Sequence, residues 1–231
     1  MRLAARAFVT VAVVASAVAS YFAFSPERSA TLGFWFLAGG PTVLLAAFAA
    51  MWAKREDYLT EWLGPRWGDF SRGLLGAVVL FGAAWAFARL VTPVGSTREI
   101  WLVSLYSQFG DPRVLQMHAL AVGAVVAVVA VAEELVWRGA VTQLLAERLG
   151  SRSAWVWSAG LYALAYVPTM WALRAGAGID PVLVVAALAA GLLWGAMARA
   201  FGRLAPSILA HALFDWVVLM MFPLWGPGGH G

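Results

Sequence analysis

The chain has 231 residues, of which 62% are hydrophobic and only 12% charged, about half the charged share of an ordinary soluble domain. A water-soluble fold of this length lacks the interior to hide that much apolar surface, whereas a bilayer accepts it. The net charge of +4 sits on residues scattered between apolar runs, which argues against a nucleic-acid surface, and the absence of cysteine excludes disulfides and thiolate metal sites.

The first apolar run, 7–24, follows Arg2 and Arg6 and contains Ala-Ser-Ala-Val-Ala-Ser at 15–20, a superficial likeness to a cleaved signal peptide. It continues through Tyr21-Phe22-Ala23-Phe24 and so is long enough to be an uncleaved first helix. Further runs fall at 31–53, 73–92, 119–147, 153–172, 181–201 and 204–224, each bounded by charge, Pro or Gly. A span needs about 20 apolar residues, and lipid leaves unpaired backbone groups no partner. The expected fold is therefore all-α: a polytopic transmembrane helix bundle of about seven spans. Trp52, Trp62, Trp67, Trp171 and Trp225 fall near the ends of runs, as interfacial tryptophans do.

Two connections are long enough to hold more than a turn. Residues 57–72 mix Leu59, Trp62, Leu63, Trp67 and Phe70 with charges, the pattern of an interfacial helix that Gly64-Pro65 would interrupt. Residues 94–118 read as a polar external segment whose Ile100-Trp101-Leu102-Val103 dips into the interface. The closing residues, 226–231, read as a short flexible end.

With seven spans, Arg2, Arg6, Lys54, Arg55, Arg66, Arg72, Arg148, Arg152, Arg199 and Arg203 share one side, against Arg28, Arg89, Arg98, Arg113 and Arg174 on the other. The richer side is expected to be cytoplasmic, so the N-terminus is inside.

The fourth run carries Glu133-Glu134-Leu135-Val136-Trp137-Arg138-Gly139, after a stretch from Ala119 to Ala132 without charge. Each ionisable group near the bilayer centre costs about 2.5–3.5 kcal/mol, so something must offset the three. Glu134 and Arg138 are i,i+4 with the acid first, the favourable order for an ion pair. Glu133 points elsewhere and has no local partner. In the last run, His211 and Asp215 are again i,i+4 and share a face. Buried polar groups in membranes face one another or a wet cavity, so the two clusters are expected to meet.

Glu133-Glu134-x-x-x-Arg138 in one membrane helix and His211-x-x-x-Asp215 in a later one resemble the CPBP family, the type II CAAX prenyl endopeptidases and bacteriocin-processing or immunity proteins. The resemblance covers roughly 119–224. It implies an N-terminal part, 1–118, of helices and connections, and an intramembrane protease core, 119–231, with the catalytic groups in the last four helices. It further implies that Glu133 activates a water, that Glu134 and Arg138 organise the site, and that His211 and Asp215 orient the water or the developing oxyanion. The family's middle motif, Phe-x-x-x-His, is replaced by Tyr162 and Tyr166. A tyrosine hydroxyl can donate to an oxyanion but is a poor proton acceptor near neutral pH, so Tyr166 stands in only for a donating histidine. His118 and His230 lie at the opposite membrane face.

No cofactor is expected. Glu133, Glu134, His211 and Asp215 could together ligate a divalent ion, but there is no His-Glu-x-x-His, and metal-free hydrolysis is the preferred reading. The expected partners are the bilayer and a membrane-associated protein or peptide substrate, in a multi-pass protein of a bacterial cytoplasmic membrane. The alternatives are a catalytically inactive scaffold or immunity protein, or a proton-coupled transporter, which would call for broken helices and pseudo-symmetric halves.

Overall fold

The computed structural model describes residues 2–174 and 178–225, with side chains from 7 to 174 and 178 to 220. His230 and the closing residues 226–231 lie outside the described residues, as does the side chain of Trp225. Among the described residues the fold is all-helical. In order come α1 (Arg2–Ala23), α2 (Leu32–Arg55), α3 (Tyr58–Leu63), α4 (Asp69–Leu90), α5 (Glu99–Ser107), α6 (Pro112–Met117) and α7 (Ala119–Glu133). A wide π-helical stretch, Glu134–Val141, leads on to α8 (Thr142–Leu149), then α9 (Ala154–Tyr166), α10 (Thr169–Ala172), α11 (Val182–Phe201) and α12 (Ala205–Trp225).

Among the described residues four helical stretches are long and apolar enough to cross a membrane: Leu32–Arg55, Asp69–Leu90, Ala119–Leu149 and Val182–Phe201. Ala7–Ala23 and Ala205–Met220 are shorter apolar helices. The fifth expected span, 153–172, is not one helix. It stops after Tyr166 and resumes at Thr169, because Pro168 has no N–H to continue the ladder. At 1.5 Å per residue α9 is about 20 Å long, short of a hydrocarbon core of about 30 Å. A broken helix is therefore present, contrary to the sequence reading.

The helices pack in a bundle, with α12 against α4 and α7, α9 against α11, and α1 against α2 and α9. Small residues permit the closest approach: a Cβ at Gly73 would fall 2.7 Å from that of Leu209, and one at Gly76 would fall 2.8 Å from the Met197 sulfur. Large apolar side chains such as Leu32, Phe36, Phe48, Leu75 and Leu120 point outward. Such a coat is ordinary against lipid and a liability in water.

The two loop sets separated by the charge count gather at opposite ends. At one end, Arg199 Nη1 donates to the Arg152 carbonyl at 3.1 Å, and the Leu204 N–H donates to the Trp62 carbonyl at 2.9 Å. At the other, the Ala30 N–H reaches the Gln108 carbonyl at 3.0 Å and Ser29 Oγ the Ser107 carbonyl at 2.8 Å. The 57–72 connection holds α3, which ends at Gly64 as anticipated, while Trp67 is fully exposed. The 94–118 segment is less polar in its packing than its composition suggested. Its α5 buries Leu102, Leu105 and Tyr106 against Phe24, Phe34 and Val182.

Arg203 is more than a topology signal. It is buried and paired with Asp69 at both ends of the carboxylate, through Nη2 and through Nε at 3.3 Å. Asp69 also accepts from the Arg66 N–H at 2.8 Å. Asp69→Ala leaves a buried guanidinium without its counter-charge, and we expect a loss of about 3–5 kcal/mol in unfolding measurements on detergent-solubilised protein; a change below 1 kcal/mol contradicts the assignment.

Asp180, in the connection before α11, is fully buried. One carboxylate oxygen accepts from the Val182 N–H at 2.9 Å, while the other has no partner among the described residues. Burial pushes its carboxyl up to about 6. The folded state thus holds a proton that the unfolded chain releases near pH 4, so this contribution to stability is full below about pH 4 and lost as pH rises through about 6. Thermal unfolding followed between pH 4 and 7 should show that decline, and Asp180→Asn should flatten it.

Candidate functional site

The fourth apolar run changes character at Glu133. Up to that residue the helix is regular, and from Glu134 to Val141 it widens into π geometry with all eight residues buried. Eight consecutive residues pass right around the axis, so the stretch is enclosed by its neighbours on every side, with Glu134 and Arg138 on the face turned to α12. Such π stretches tend to mark functional sites. Here the Trp137 carbonyl is taken by Thr142 Oγ1 at 2.7 Å and Ser158 Oγ at 2.6 Å, which ties the stretch to α9. Gly139 is needed on the other side: a Cβ there would sit 2.6 Å from the Trp62 ring. That contact gives the glycine following the arginine a packing reason.

The two polar patches meet. His211 Nε2 lies 3.6 Å from Glu133 Oε2, and its Nδ1 lies 3.1 Å from Glu134 Oε1. Asp215 Oδ2 stands 3.3 Å from Nε2. Glu134 Oε1 is also 3.2 Å from Arg138 Nη1, with both side chains essentially buried. One imidazole therefore sits among three carboxylates, with a guanidinium behind it. The buried charges are offset by one another, as their cost in lipid requires. Asp215, 36% exposed in its side chain, is the more accessible member.

Glu133 has no partner on its own helix, as the spacing implied, but it acquires two from α9. Tyr162 donates its hydroxyl to Oε2 at 2.6 Å and Tyr166 donates to Oε1 at 3.0 Å. Each carboxylate oxygen keeps a second lone pair. The Tyr166 hydroxyl, which the sequence reading placed at a developing oxyanion, is instead committed to Glu133. Tyr162 was noted only as standing where the resembled motif has phenylalanine, and no part in the site was expected of it. The signal was its i,i+4 spacing from Tyr166, which puts both hydroxyls on one face of α9. The Arg138 guanidinium also lies over the Tyr162 ring, 4.6 Å from its centroid.

Trp194 of α11 was likewise unforeseen. Its indole stacks on the His211 ring at 3.6 Å and 16°, fixing the plane of the imidazole. The expected residues Glu133, Glu134, Arg138, His211, Asp215 and Tyr166 are thus all brought together, whereas His118 sits at the far end of α7, before Ala119. The carboxylate oxygens face Tyr, His and Arg donors, and among the described residues no set of three or more His, Asp or Glu is arranged around a point that a metal ion could occupy.

The cluster opens on a cavity of about 480 Å³. Glu133, Tyr162, Tyr166, His211 and Asp215 line its polar part. The remaining walls are largely apolar, from α1, α2, α4, α5, α7 and α11, with Phe34, Leu80, Phe87 and Leu102 among them. The N-terminal helices therefore enclose the groups that the C-terminal ones supply. A carboxylate, an imidazole and hydroxyl donors at the edge of an apolar chamber suit general acid–base chemistry on a bond carried by an apolar chain.

Residues 115–217 match the model of a protein family described as type II CAAX prenyl endopeptidase Rce1-like. The match spans the whole cluster, from Glu133 to Asp215, and so covers the same residues that carry the resemblance read from the sequence. No curated protein and no solved structure matches the chain.

The hold on Glu133 is measurable. Tyr162→Phe removes a hydrogen bond to a buried charged group and should cost about 1.5–3 kcal/mol of stability. The cost should fall to less than half in a Glu133→Gln background, since contacting residues couple. Equal losses in both backgrounds would mean that the hydroxyl acts elsewhere.

Proposed function

We propose that this protein is an intramembrane endopeptidase that hydrolyses a peptide bond of a membrane-associated protein or peptide, with Glu133 activating the attacking water. The observation that carries the reading is the meeting of Glu133 and His211, 3.6 Å apart, at the edge of an apolar cavity. The Rce1-like segment supports the protease class and a membrane setting. Residues 119–231 supply the reacting groups and part of the walls, and residues 1–118 complete the walls.

The steps follow from the donors and acceptors present. A water beside Glu133 gives its proton to the carboxylate while its oxygen bonds to the scissile carbonyl carbon. The carbonyl π pair moves to oxygen. When the C–N bond breaks, the departing nitrogen takes the proton back from Glu133, leaving a carboxyl and an amine. Tyr162 and Tyr166 fix which way Glu133 faces. Glu134 and Arg138 hold His211 from its Nδ1 side, and Asp215 with His211 Nε2 stands where the water or the reacting oxygen must pass. No metal takes part in these steps.

In this reading the protein is a multi-pass component of a bacterial cytoplasmic membrane with its N-terminus inside. Its substrate is a leader peptide or a C-terminal sorting signal, as for myxosortase-type members. Glu133→Gln keeps the shape of the side chain and removes the base. Mass spectrometry of membrane and secreted proteins should then lose the shifted termini that the wild type produces, with cleavage down at least 10²-fold and the protein still folded. Unchanged termini would leave an inactive scaffold; a lost ion flux without any lost cleavage product would point to a transporter.

A further inference from the structure

We propose that the indole N–H of Trp194 is the donor that receives the scissile carbonyl oxygen, making Trp194 a catalytic residue of this site. The proposal rests on the proteolytic reading above. Trp194 is 2% exposed and lines the cavity beside His211. Its position follows from the sequence of α11: Gly191, one turn earlier, has no side chain, and a Cβ there would come 3.3 Å from Ala159, Tyr162 and Arg138 Nη2. Glycine at that point lets α11 lie close to α9, which brings the indole onto the imidazole.

The ring is held on several sides. Its face stacks on His211 at 3.6 Å, the Arg138 guanidinium lies 5.0 Å from its centroid, and Phe214 packs at an angle of 64°. Yet Nε1, which can only donate, has no acceptor among the described residues. A buried donor without a partner is costly, more so where no water of the bulk solvent reaches it. The neighbouring neutral donors are spent, since Tyr162 and Tyr166 both bond Glu133. Arg138 Nη1 and Nη2 also lack an aligned acceptor, but Arg138 does not line the cavity.

The reaction creates the missing acceptor. As the water oxygen bonds to the carbonyl carbon and its proton passes to Glu133, the carbonyl oxygen gains the π pair and becomes an anion. The entering scissile segment reaches the N–H beside the imidazole by displacing the side chains that cover it, and the N–H then meets that charge. When the C–N bond breaks the π bond re-forms, the nitrogen takes the proton from Glu133, and the N–H is free again. A donor used this way acts on the transition state more than on the bound substrate.

The test uses the full-length protein in liposomes with membrane fractions of the host, in which the rate of appearance of each shifted terminus is followed by mass spectrometry at several protein-to-membrane ratios. Trp194→Phe keeps a stacking ring and deletes the N–H. Replacement of Trp194 by benzothienylalanine keeps both rings and exchanges only the N–H for sulfur, which guards against a variant that misfolds. Both should lower kcat about 10²-fold with KM within about threefold of wild type. A benzothienyl variant at the wild-type rate overturns the proposal and reduces Trp194 to a support for His211, as does a loss confined to KM. If wild type and Glu133→Gln yield the same termini, the proteolytic reading fails and this proposal with it; if only the Glu133 variant is silent, this proposal alone fails.

Discussion

Everything in this molecule is arranged around the cost of ionised groups inside a membrane. Glu133, Glu134, Arg138, His211 and Asp215 cannot be left in lipid singly, and the structure answers by giving each at least one partner of the set at 3.1–3.6 Å. Once α7 and α12 are joined by that requirement, the remaining helices have their places set. α9 must lie where its two hydroxyls reach Glu133, and α11 must lie against α9. α1 is tied to α9 by Ser20, whose hydroxyl donates to the Ala165 carbonyl at 2.8 Å. A fold held together this way places its chemistry at its most constrained point.

The same economy explains the division of labour between apolar and polar neighbours. Aromatic rings, not further charges, surround the cluster: Trp194 covers His211, and Tyr162 and Trp194 flank Arg138. Rings add contact and a favourable face for a cation without bringing in another ion to be compensated. At the opposite pole of the problem, Asp69 and Arg203 form a pair near the membrane end that closes α4 onto the α11–α12 turn.

Much of this was legible in the residues. Runs of apolar side chains gave the helices, and the charge pairs at i,i+4 marked Glu134 with Arg138 and His211 with Asp215. Their joint expense in lipid implied that they meet. What escaped has a common cause: it depends on geometry that no one-dimensional spacing carries. The break of the fifth run turns on how Pro168 is accommodated. The π stretch is invisible to a 3.6-residue period. Trp194 reads as an ordinary apolar-run aromatic, and Tyr162 only as a replaced motif position, until neighbouring helices are in place, because a hydroxyl or an indole N–H declares its role only through its partner. The 94–118 segment looked polar by composition, but period-bearing side chains such as Leu102, Leu105 and Tyr106 fold it onto the bundle.

The wide turn between Glu134 and Val141 has one more consequence. It separates the rotational phase of α7 from that of α8, so the residues facing lipid before it and those meeting the membrane surface after it need not share a register. The wider turn is held locally by Thr142 and Ser158, whose hydroxyls both donate to the Trp137 carbonyl. The angular setting of the reacting centre is therefore not dictated by the lipid-facing periodicity of either flank.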